Sequence, residues 1–494
     1  MNNEEYLKVE RSQPWREELR KTVKNADRTK RDRVAMPEQD PVIRATNHKE
    51  VNLGISSEQA IHEAGRCLDC VEPTCIKGCP VNINIPKFVK YIEAGQFLDA
   101  AKTLKETNAL PAVCGRVCPQ EVQCESNCFY VQKLKKPSVA IGNLERFTAD
   151  YERESGKISV PEVANPNGIK VAVVGSGPSG LAAAGDLARY GYEVTVFEAL
   201  HEIGGVLKYG IPEFRLPNII VDVEIENLRK MGVHFEANFL VGKTSNFDTL
   251  RAEGYKAFFI GSGAGLPNFM NIPGENYIGV FSSNEYLTRI NLMGAALPEC
   301  DTPVLSGRNV AVIGGGNTAM DSVRTAKRLG AERAMIIYRR SMNEMPARIE
   351  EIHHAHEEGI EFMCLHNPVE YQADSNGRVN RMIVQKMELG EPDTSGRRRP
   401  VVIKDSEFQI DVDLVVVAIG VSPNPLIAQA LPSLETTKWG TLVVNQETMQ
   451  TSIPDLFAGG DIVRGGATVI LAMGDGRRAA AGIHSWIASG KPLK

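Results

Sequence analysis

Two copies of one strand–turn–helix–strand pattern constrain the fold of this 494-residue chain more than any other feature. The first copy reads IKVAVVGSGPSGLAAAGDLARYGYEVTVFEA from Ile169, and the second reads NVAVIGGGNTAMDSVRTAKRLGAERAMIIYRR from Asn309. In each copy a short apolar strand ends at a glycine turn, a helix follows, and a second apolar strand closes the unit. The chain is therefore predicted to contain two Rossmann-like nucleotide-binding modules, with the second inserted into the first.

The first glycine turn carries the pattern G-x-G-x-x-G at Gly175, Gly177 and Gly180. The first glycine permits a tight turn, the second lets a pyrophosphate approach the backbone, and the third lets helix and strand pack closely. Glu198 ends the second strand, where a carboxylate can bind the two ribose hydroxyls of an adenosine. These features together predict a dinucleotide site, and the alternative is a purely structural glycine turn.

The second glycine turn carries the variant G-x-G-x-x-A, and its second strand ends at Tyr338, Arg339 and Arg340. No carboxylate stands there for a ribose 2′-hydroxyl, whereas two guanidinium groups can grip a 2′-phosphate. The pattern therefore favours NADP(H) over NAD(H), with a solvated surface arginine as the alternative. One site per turn implies two dinucleotides, and hydride chemistry pairs FAD with a nicotinamide. The candidate residues of the second turn are Gly314, Gly316, Asn317 and Ala319.

Eight of the ten cysteines lie between Cys67 and Cys128. In a chain with no export signal this clustering favours metal ligands over disulfides. The spacing resembles the ferredoxin run, in which three cysteines bind one cluster and a fourth, before proline, binds another. Two [4Fe–4S] clusters are predicted, and two tetrahedral zinc sites are the alternative. The spacing is C67-x2-C70-x4-C75-x3-C79-P, then C114-x3-C118-P and C124-x3-C128.

Composition and charge exclude several classes of protein. A hydrophobic content of 43% and a charged content of 24% are typical of a folded globular chain. The net charge of −5 without a basic stripe predicts no nucleic-acid partner. The start MNNEEYLKVE lacks the basic and apolar stretches of a signal peptide, and no segment has the length of a membrane span. A cytoplasmic protein with no membrane partner is expected.

The N-terminal segment 8–34 is unusually basic, with ten Lys or Arg against five Asp or Glu. It predicts an extended or partly helical arm, either a solvated tail or a docking strand for another subunit. Short helices are expected after it, before the first module begins. The predicted division is 1–50 as an N-terminal extension, 51–165 as a helical two-cluster domain, 166–285 and 416–494 as the two parts of an FAD domain, and 286–415 as the NADP(H) domain.

The ordered motifs resemble those of the glutamate synthase small subunit family. They include CLDCVEPTCIKGCPVNINIP, CGRVCPQEVQCESNC, IGNLERF, GGVLKYGIPEFRLP and TSIPDLFAGGD, and the likeness covers the chain from about residue 32 onward. That family includes the larger subunit of NADH-dependent ferredoxin:NADP oxidoreductase, and the N-terminal half of dihydropyrimidine dehydrogenase is similar. The resemblance implies FAD in the first module, NADP(H) in the second, and two [4Fe–4S] clusters.

The resemblance also implies further positions on the FAD side. The loop at Gly459, Gly460 and Asp461 is expected to approach the phosphate and ribityl parts of FAD. The last helix, starting near Thr468 and Val469, is expected to face the flavin ring, where a positive helix end stabilises negative charge. Gly204 and Gly205 of the GGVLKYGIPEFRLP loop complete the candidate residues on this side.

The resemblance changes the cluster ligands that cysteine counting alone predicts. In the family the cysteine matching Cys114 is not a ligand, and an oxygen ligand at the position of Glu145 replaces it. An oxygen ligand alters the cluster charge and so tunes its potential. The implied ligands are Cys67, Cys70, Cys75 and Cys128 for one cluster and Cys79, Cys118, Cys124 and Glu145 for the other.

The competing functions differ in what they require of the chain. A thioredoxin-reductase-like enzyme needs a redox dithiol, but Cys364 stands alone between 302 and 415. Glutamate synthesis by this chain alone would need an amidotransferase domain, for which there is no room. The expected function is therefore an electron-transfer subunit, preferably of a ferredoxin-linked, electron-bifurcating transhydrogenase. The alternatives are a glutamate synthase small subunit, an electron-input subunit of a hydrogenase or reductase, and a redox sensor without turnover.

The expected partner is a second redox subunit. It would be a ferredoxin–NAD reductase-like subunit, a glutamate synthase large subunit or hydrogenase subunits, and ferredoxin itself is a further candidate. Lys133, Lys135 and Lys136 lie beside the cysteines and either offset cluster charge or meet an acidic partner, with a solvated lysine run as the alternative.

Overall fold

The computed structural model describes residues 3–297, 299–393 and 396–489. A helical N-terminal region is followed by two α/β modules, each with a parallel sheet. No helix among these residues is long and apolar enough to cross a membrane.

The N-terminal region is helical, and its described residues contain no strand beyond isolated bridges. Local signals set several helix starts: Ser56 and Gln59 form a capping box before α5, and the Asn84 side chain accepts from Lys87 N before α7. A single π-helical turn, Tyr130–Leu134, follows the last cysteine of the cluster. The helices are α1 (Asn3–Arg11), α2 (Pro14–Thr22), α3 (Asn25–Arg28), α4 (Pro41–Arg44), α5 (Ser57–Ala64), α6 (Thr74–Lys77), α7 (Ile85–Glu93), α8 (Phe97–Lys105), α9 (Pro111–Val117) and α10 (Ile141–Glu154).

The first module is a parallel sheet with helices around it. Its central strands are almost fully buried apolar runs, as expected for a parallel sheet covered on both faces. Its elements are β1 (Lys170–Val174), α11 (Pro178–Arg189), β2 (Glu193–Phe197), α12 (Val206–Tyr209), α13 (Asn218–Lys230), β3 (His234–Glu236), α14 (Phe247–Ala252), β4 (Tyr255–Ile260), and after the second module β16 (Leu456–Ala458), α19 (Asp461–Arg464) and α20 (Val469–Ser489). The strand order is β16-β4-β1-β2-β3.

The second module repeats this plan and adds an antiparallel sheet. Its elements are β5 (Leu266–Pro267), β6 (Val280–Ser282), α15 (Ser283–Asn291), β7 (Asn309–Ile313), α16 (Asn317–Arg328), β8 (Arg333–Tyr338), α17 (Ile349–Glu357), β9 (Glu361–Cys364), β10 (His366–Ala373), β11 (Val379–Pro392), β12 (Arg398–Val402), β13 (Phe408–Asp411), β14 (Leu414–Val417) and β15 (Val421–Ser422). The next helix, α18 (Leu426–Ala430), packs through Ile427 into the core of the first module. The parallel order is β6-β14-β7-β8-β9, β10-β11-β12 are antiparallel, and β13 pairs with β11.

The strand order confirms that the second module is inserted into the first. β16 follows the second module in the chain and pairs in parallel with β4, which precedes that module. The two strands that flank the insertion are therefore neighbours in the first sheet. The antiparallel ribbon of β5 and β15 links the two modules where the chain crosses. The second sheet includes β6 and β14, and therefore extends beyond the predicted range 286–415 at both ends. Both expected modules are present, and the exact domain limits remain a proposal.

The helical region and the first module share one apolar core. Leu104 of α8, Leu181 of α11 and Met473 of α20 belong to the same buried cluster. Arg477 of α20 donates to the Val81 carbonyl at 3.0 Å, which ties the last helix to the loop after Cys79. The loop after Cys79 is therefore held directly against α20, the last helix of the first module.

A buried polar network holds the second module against the helical region. Arg348 donates to Gln120 Oε1 at 2.7 Å, and Arg44 Nε donates to Glu358 Oε1 at 3.1 Å. Arg44 and Glu358 are both fully buried, and further ion pairs compensate their charges: Arg324 and Arg328 also pair with Glu358, and Glu38 and Glu357 also pair with Arg44. This network sets the orientation of the second module toward the first.

The basic arm is folded onto its own chain. Trp15 stacks on Tyr91 of α7 with ring centroids 4.3 Å apart, and buried Arg28 donates to the Gly65 carbonyl at 2.8 Å. These contacts correct the expectation of a solvated tail, because aromatic stacking and a buried guanidinium supply the burial that composition alone did not indicate.

Candidate cofactor sites

One cavity of about 1960 Å³ opens between the carboxyl ends of the two parallel sheets. Sites for single small molecules are usually about 300–1,000 Å³, so this cavity has room for two dinucleotides. Both glycine turns contribute to its wall, at the position where α/β sheets bind ligands. The predicted residues that line it are Gly175, Gly177, Glu198, Gly205, Asp461, Thr468, Val469, Gly314, Gly316, Asn317, Arg339 and Arg340.

The first turn has the geometry that a pyrophosphate requires. Gly175 has a φ of +100°, and a Cβ there would lie 2.5 Å from the Gly261 carbonyl oxygen. Gly177 has open space around its missing Cβ, with Gly261 O at 4.0 Å as the nearest atom. Gly180 lies under the turn, where a Cβ would be 1.9 Å from Gly175 O. Open backbone at Gly177, at the start of α11, is the feature that fits a phosphate.

Glu198 is buried at the end of β2 and held in one orientation. Its Oε2 accepts from the Ser176 backbone N at 2.9 Å and from Ser176 Oγ at 2.5 Å, and its Oε1 accepts from Leu200 N at 2.9 Å. A carboxylate offers about four acceptor positions, so capacity for a ribose hydroxyl remains. Ser176 is a positioning residue that the sequence pattern did not indicate, because it occupies a variable position of the glycine motif.

The loops that complete the first side are shaped by a residue outside the predicted set. Gly459 and Gly460 do not line the cavity; Gly460 N donates to Asp475 Oδ2 at 3.0 Å. Asp475, fully buried in α20, also accepts from Arg464 Nε at 2.6 Å. This anchor presents Asp461 to the cavity, where burial raises the pKa of Asp461 to about 6. A lone Asp within the apolar run of α20 was the available signal.

The Gly204–Gly205 loop and the start of α20 also lie on the first side of the cavity. Gly204 and Gly205 both have positive φ, and a Cβ at Gly205 would lie 2.9 Å from Gly177 Cα, so this loop packs against the phosphate turn. Thr468 Oγ1 accepts from Leu471 N at 3.4 Å at the start of α20. Thr468 and Val469 line the cavity, so the positive end of this 21-residue helix faces it.

The second turn repeats the geometry of the first. A Cβ at Gly314 would lie 2.3 Å from the Ala418 carbonyl oxygen, whereas nothing lies within 4 Å of a Cβ at Gly316. Asn317 begins α16, and its Oδ1 accepts from Arg348 N at 2.8 Å. Ala319 is fully buried and packs under the turn. The open backbone at Gly316 again fits a phosphate.

The wall beyond this turn is cationic. Arg339 is exposed, whereas Arg340 is buried and its Nη2 donates to Asp393 Oδ2 at 2.7 Å. Arg340 Nε is buried without an acceptor among the described residues. Arg397 lines the same wall from the loop between β11 and β12, and no motif indicated it. This donor set fits a 2′-phosphate.

The cysteines fall into two groups in space. In the outer group, burial and then repulsion from Cys67 and Cys128 raise the pKa of the Cys70 thiol to about 12, and burial followed by repulsion from the same two residues raises the pKa of Cys75. These thiols would ionise only beside a strong positive charge, which a metal cluster supplies. The outer group consists of Cys67, Cys70, Cys75 and Cys128.

The inner group surrounds Glu145, which is 5% exposed. Burial raises the pKa of Glu145 to about 8, although Asn108 Nδ2 donates to its Oε1 at 2.8 Å. Cys114 belongs to the same neighbourhood: its Sγ lies 3.7 Å from Asn108 Oδ1 and 3.6 Å from Met473 Sδ of α20. The choice of Glu145 over Cys114 as a ligand therefore stays a prediction. The inner group consists of Cys79, Cys118, Cys124, Glu145 and Cys114.

The thiol spacing can be compared with that of a tetrahedral zinc site. Sulfurs around a tetrahedral zinc with bonds of about 2.3 Å lie roughly 3.8 Å apart. Among the described residues, the sole group of three His, Cys, Asp or Glu ligand atoms within 4.8 Å of one another is Glu38, Glu350 and His354. No three of the clustered cysteines among the described residues are that close.

Comparison with known proteins bears on both regions. Residues 44–157 match the family model of dihydropyrimidine dehydrogenase domain II, 4Fe-4S cluster, and residues 169–476 match that of pyridine nucleotide-disulphide oxidoreductase. The small chain of NADPH glutamate synthase from Azospirillum brasilense is 37% identical over 457 residues, covering 91% of this chain and 94% of its own. The chain belongs to the glutamate synthase small subunit family. It is an NADP(H)-dependent flavin iron–sulfur oxidoreductase with FAD and [4Fe–4S] clusters.

The chain is also similar to proteins that are not glutamate synthase subunits. The beta subunit of the NADP(+)-dependent formate dehydrogenase of Moorella thermoacetica is 39% identical over 443 residues, covering 85% of this chain and 60% of its own. The fold of the two modules also resembles FprA of Mycobacterium tuberculosis, solved in complex with NADPH, with a TM-score of 0.55 at 19% identity, over 66% of this chain and 86% of that one.

The ligand assignment of the inner cluster, the cluster that the inner group would hold, can be tested directly. Cys114→Ser is expected to leave both clusters intact, whereas Glu145→Ala is expected to shift the potential or lower the stability of one cluster, because an oxygen ligand is lost. EPR-monitored redox titration of the two variants gives the answer. Loss of a cluster in Cys114→Ser with no change in Glu145→Ala would reverse the assignment.

Proposed function

We propose that this chain is the NADP(H)-linked electron-transfer subunit of a larger complex and that its partner docks beside the outer cysteine group. One observation carries the proposal: the two cysteine groups lie at different depths. Every cysteine of the inner group is buried, and Cys114 of that group touches α20, the helix that faces the cavity. In the outer group Cys67, Cys70 and Cys75 are partly exposed. The arrangement supports a path from the cavity to the protein surface.

The chain's own residues divide the work of binding. Arg339, Arg340 and Arg397 would hold the 2′-phosphate of NADP(H), with its pyrophosphate on the Gly316 turn. Glu198 and Asp461 would hold FAD, with the start of α20 stabilising negative charge on the ring. When bound, FAD exchanges a hydride with the nicotinamide, and [4Fe–4S] clusters carry single electrons.

The surface beside the outer group has the chemistry of a docking site, here called the basic patch. It consists of Val71, Phe129 and the lysines 77, 133, 135 and 136, all of them exposed. Val71 directly follows Cys70 and is 64% exposed, and Phe129 directly follows Cys128 and is 39% exposed. The π-helical turn Tyr130–Leu134 projects Lys133, and such turns are frequent at functional sites.

Two exposed apolar side chains and four exposed lysines, all on segments that carry or follow the outer cysteines, favour a partner with an acidic surface around its redox centre. This is why we prefer a ferredoxin-linked NADP(H) oxidoreductase, and within that class an electron-bifurcating transhydrogenase with a ferredoxin–NAD reductase-like second subunit. The proposal for the partner rests on the charge and exposure of the basic patch.

A second candidate is the small subunit of an NADPH-dependent glutamate synthase. Relatives of that name align over nearly their whole length, whereas this chain covers 60% of the formate dehydrogenase subunit. In that case the basic patch would meet the glutamate synthase large subunit.

The two candidates can be separated in the native complex. We expect NADPH oxidation that requires both NAD⁺ and a low-potential ferredoxin, and no glutamate formation from glutamine and 2-oxoglutarate. Glutamate formation without ferredoxin coupling would favour the second candidate and leave the cofactor sites unchanged. Identification of the copurifying subunit by mass spectrometry provides an independent check.

The basic patch makes a prediction of its own. Reversing charge in Lys133→Glu/Lys135→Glu should lower the rate of ferredoxin reduction about tenfold at low ionic strength, because electrostatic attraction raises the encounter rate. NADPH-dependent reduction of a small neutral dye should be unchanged. Lys243→Glu, an exposed lysine in the first module, is the matched control. Equal rates of ferredoxin reduction in the double variant and the control would show that the basic patch is not the docking site.

A further inference from the structure

A buried carboxylate lies inside the ligand loop of the outer group. Asp69 stands between Cys67 and Cys70, is 0% exposed, and has a φ of +50°. A buried carboxylate is costly unless cations and hydrogen bonds compensate its charge. The loop therefore depends on whatever neutralises Asp69.

The cations that neutralise Asp69 come from the N-terminal arm. Arg16, which is 2% exposed, pairs with Asp69 Oδ1, and Arg20 Nη1 donates to Asp69 Oδ2 at 2.6 Å. Arg11 Nε donates to the Asp69 carbonyl oxygen at 2.8 Å. Arg16 Nε and Nη1 are buried without an acceptor among the described residues, so the arm brings more positive charge and donor capacity than Asp69 alone uses.

The arm is fixed in place by contacts that do not involve this loop. Trp15, directly before Arg16, stacks on Tyr91, and Arg28 pairs with Glu93 at 2.7 Å. Both partners, Tyr91 and Glu93, belong to α7, and Lys90 of the same helix donates to the Cys67 carbonyl at 2.6 Å. The ligand loop is thus held between α7 and an arm that packs on α7.

We propose that the basic arm, residues 8–34, is part of the site of the outer cluster, the cluster that the outer cysteine group would hold, and that Arg16 and Arg20 are positioning residues acting through Asp69. They hold the Cys67–Cys70 loop in its ligating conformation and supply positive charge that favours the reduced cluster, since reduction adds a negative charge. This assignment rests on the proposed ligands Cys67, Cys70, Cys75 and Cys128. It gives the basic arm a role within its own chain in place of a docking strand for another subunit.

A charge-paired series of full-length variants tests the proposal. In Arg16→Gln the reduced-to-oxidised ratio of the outer cluster at a fixed potential should fall at least about tenfold, equivalent to ~59 mV for a one-electron couple. Asp69→Asn should shift the ratio in the opposite direction, and Arg16→Gln/Asp69→Asn should return it toward the wild-type value. The reduced-to-oxidised ratio of the inner cluster should stay unchanged in all three variants. Lys21→Gln, an exposed lysine of the same helix, is the matched control.

The double variant Arg16→Gln/Arg20→Gln leaves the buried carboxylate unpaired. It should lose the outer cluster's EPR signal and about half of the iron while retaining FAD, and adding Asp69→Asn should restore the signal. Wild-type protein without two [4Fe–4S] signals would contradict the proposed ligands as a whole. Intact wild type with unchanged potential in both Arg16→Gln and Asp69→Asn would overturn the arm proposal alone. If Arg16→Gln does not accumulate, the Asp69→Asn shift decides.

Discussion

Replacing Cys70 with alanine is expected to abolish the outer cluster. The purified protein should be brown with one FAD and about eight irons, and the variant should fall to about four irons per chain. Electron delivery to ferredoxin should drop roughly a hundredfold, because the surface end of the proposed path then holds no cluster. NADPH oxidation with a dye that accepts electrons inside the cavity should continue. Iron analysis, EPR and both assays after anaerobic preparation measure these effects.

Cys300→Ala is the control for thiol loss, since Cys300 lies between α15 and β7 of the second module and belongs to neither cysteine group. It should keep all of the iron and the full rate with ferredoxin. Stoichiometric zinc with no iron in the wild-type protein would contradict the cluster assignment. A Cys70→Ala variant that keeps both EPR signals would contradict the ligand assignment.

Removing both arginines at the end of β8, in Arg339→Gln/Arg340→Gln, is expected to raise the KM for NADPH by at least about tenfold. A charge-assisted hydrogen bond is worth about 1.5–3 kcal/mol, and the variant loses two guanidinium groups that would bind the 2′-phosphate in the proposed site. The KM for NADH should change much less, because NADH has no 2′-phosphate. Steady-state kinetics with the two nucleotides and a common dye measures the difference.

Arg340 needs a separate check because it also pairs with Asp393. Asp393→Asn removes that partner and keeps both arginines, so its KM for NADPH should stay near the wild-type value. Equal losses of NADPH and NADH affinity in Arg339→Gln/Arg340→Gln would refute a 2′-phosphate role. Arg397→Gln alone should show a smaller loss of the same kind.

Local sequence signals were sufficient for the nucleotide turns. Gly175, Gly177 and Gly314 stand where a side chain would strike backbone or a phosphate would approach it, and Glu198 ends its strand as expected. These requirements arise within one βαβ unit, so the spacing of a few residues specifies them. The return of the chain to the first sheet at β16 was also predictable, because the second unit interrupts the first.

Other parts of the sites depend on residues that are distant in sequence. Ser176 and Asp475 orient Glu198 and the Gly460 loop through buried hydrogen bonds, and Arg397 reaches the cationic wall from a different hairpin. No motif marks these residues, because a buried partner needs only the right position and charge. The ligand choice between Cys114 and Glu145 is of the same kind, since both lie in one buried neighbourhood.

The sequence by itself determined the α/β class, the two nucleotide modules and the clustered cysteines, because each is encoded by short-range spacing and hydrophobic period. The tertiary structure alone decided how deeply the two cysteine groups are buried and where the basic arm packs. Composition indicated a solvated arm, but Arg16 and Arg28 are buried, since Asp69 and Glu93 compensate charges that cannot be paired within the arm itself. Long-range pairing of buried charges is invisible to local pattern, and here it connects the first residues of the chain to the outer cluster site.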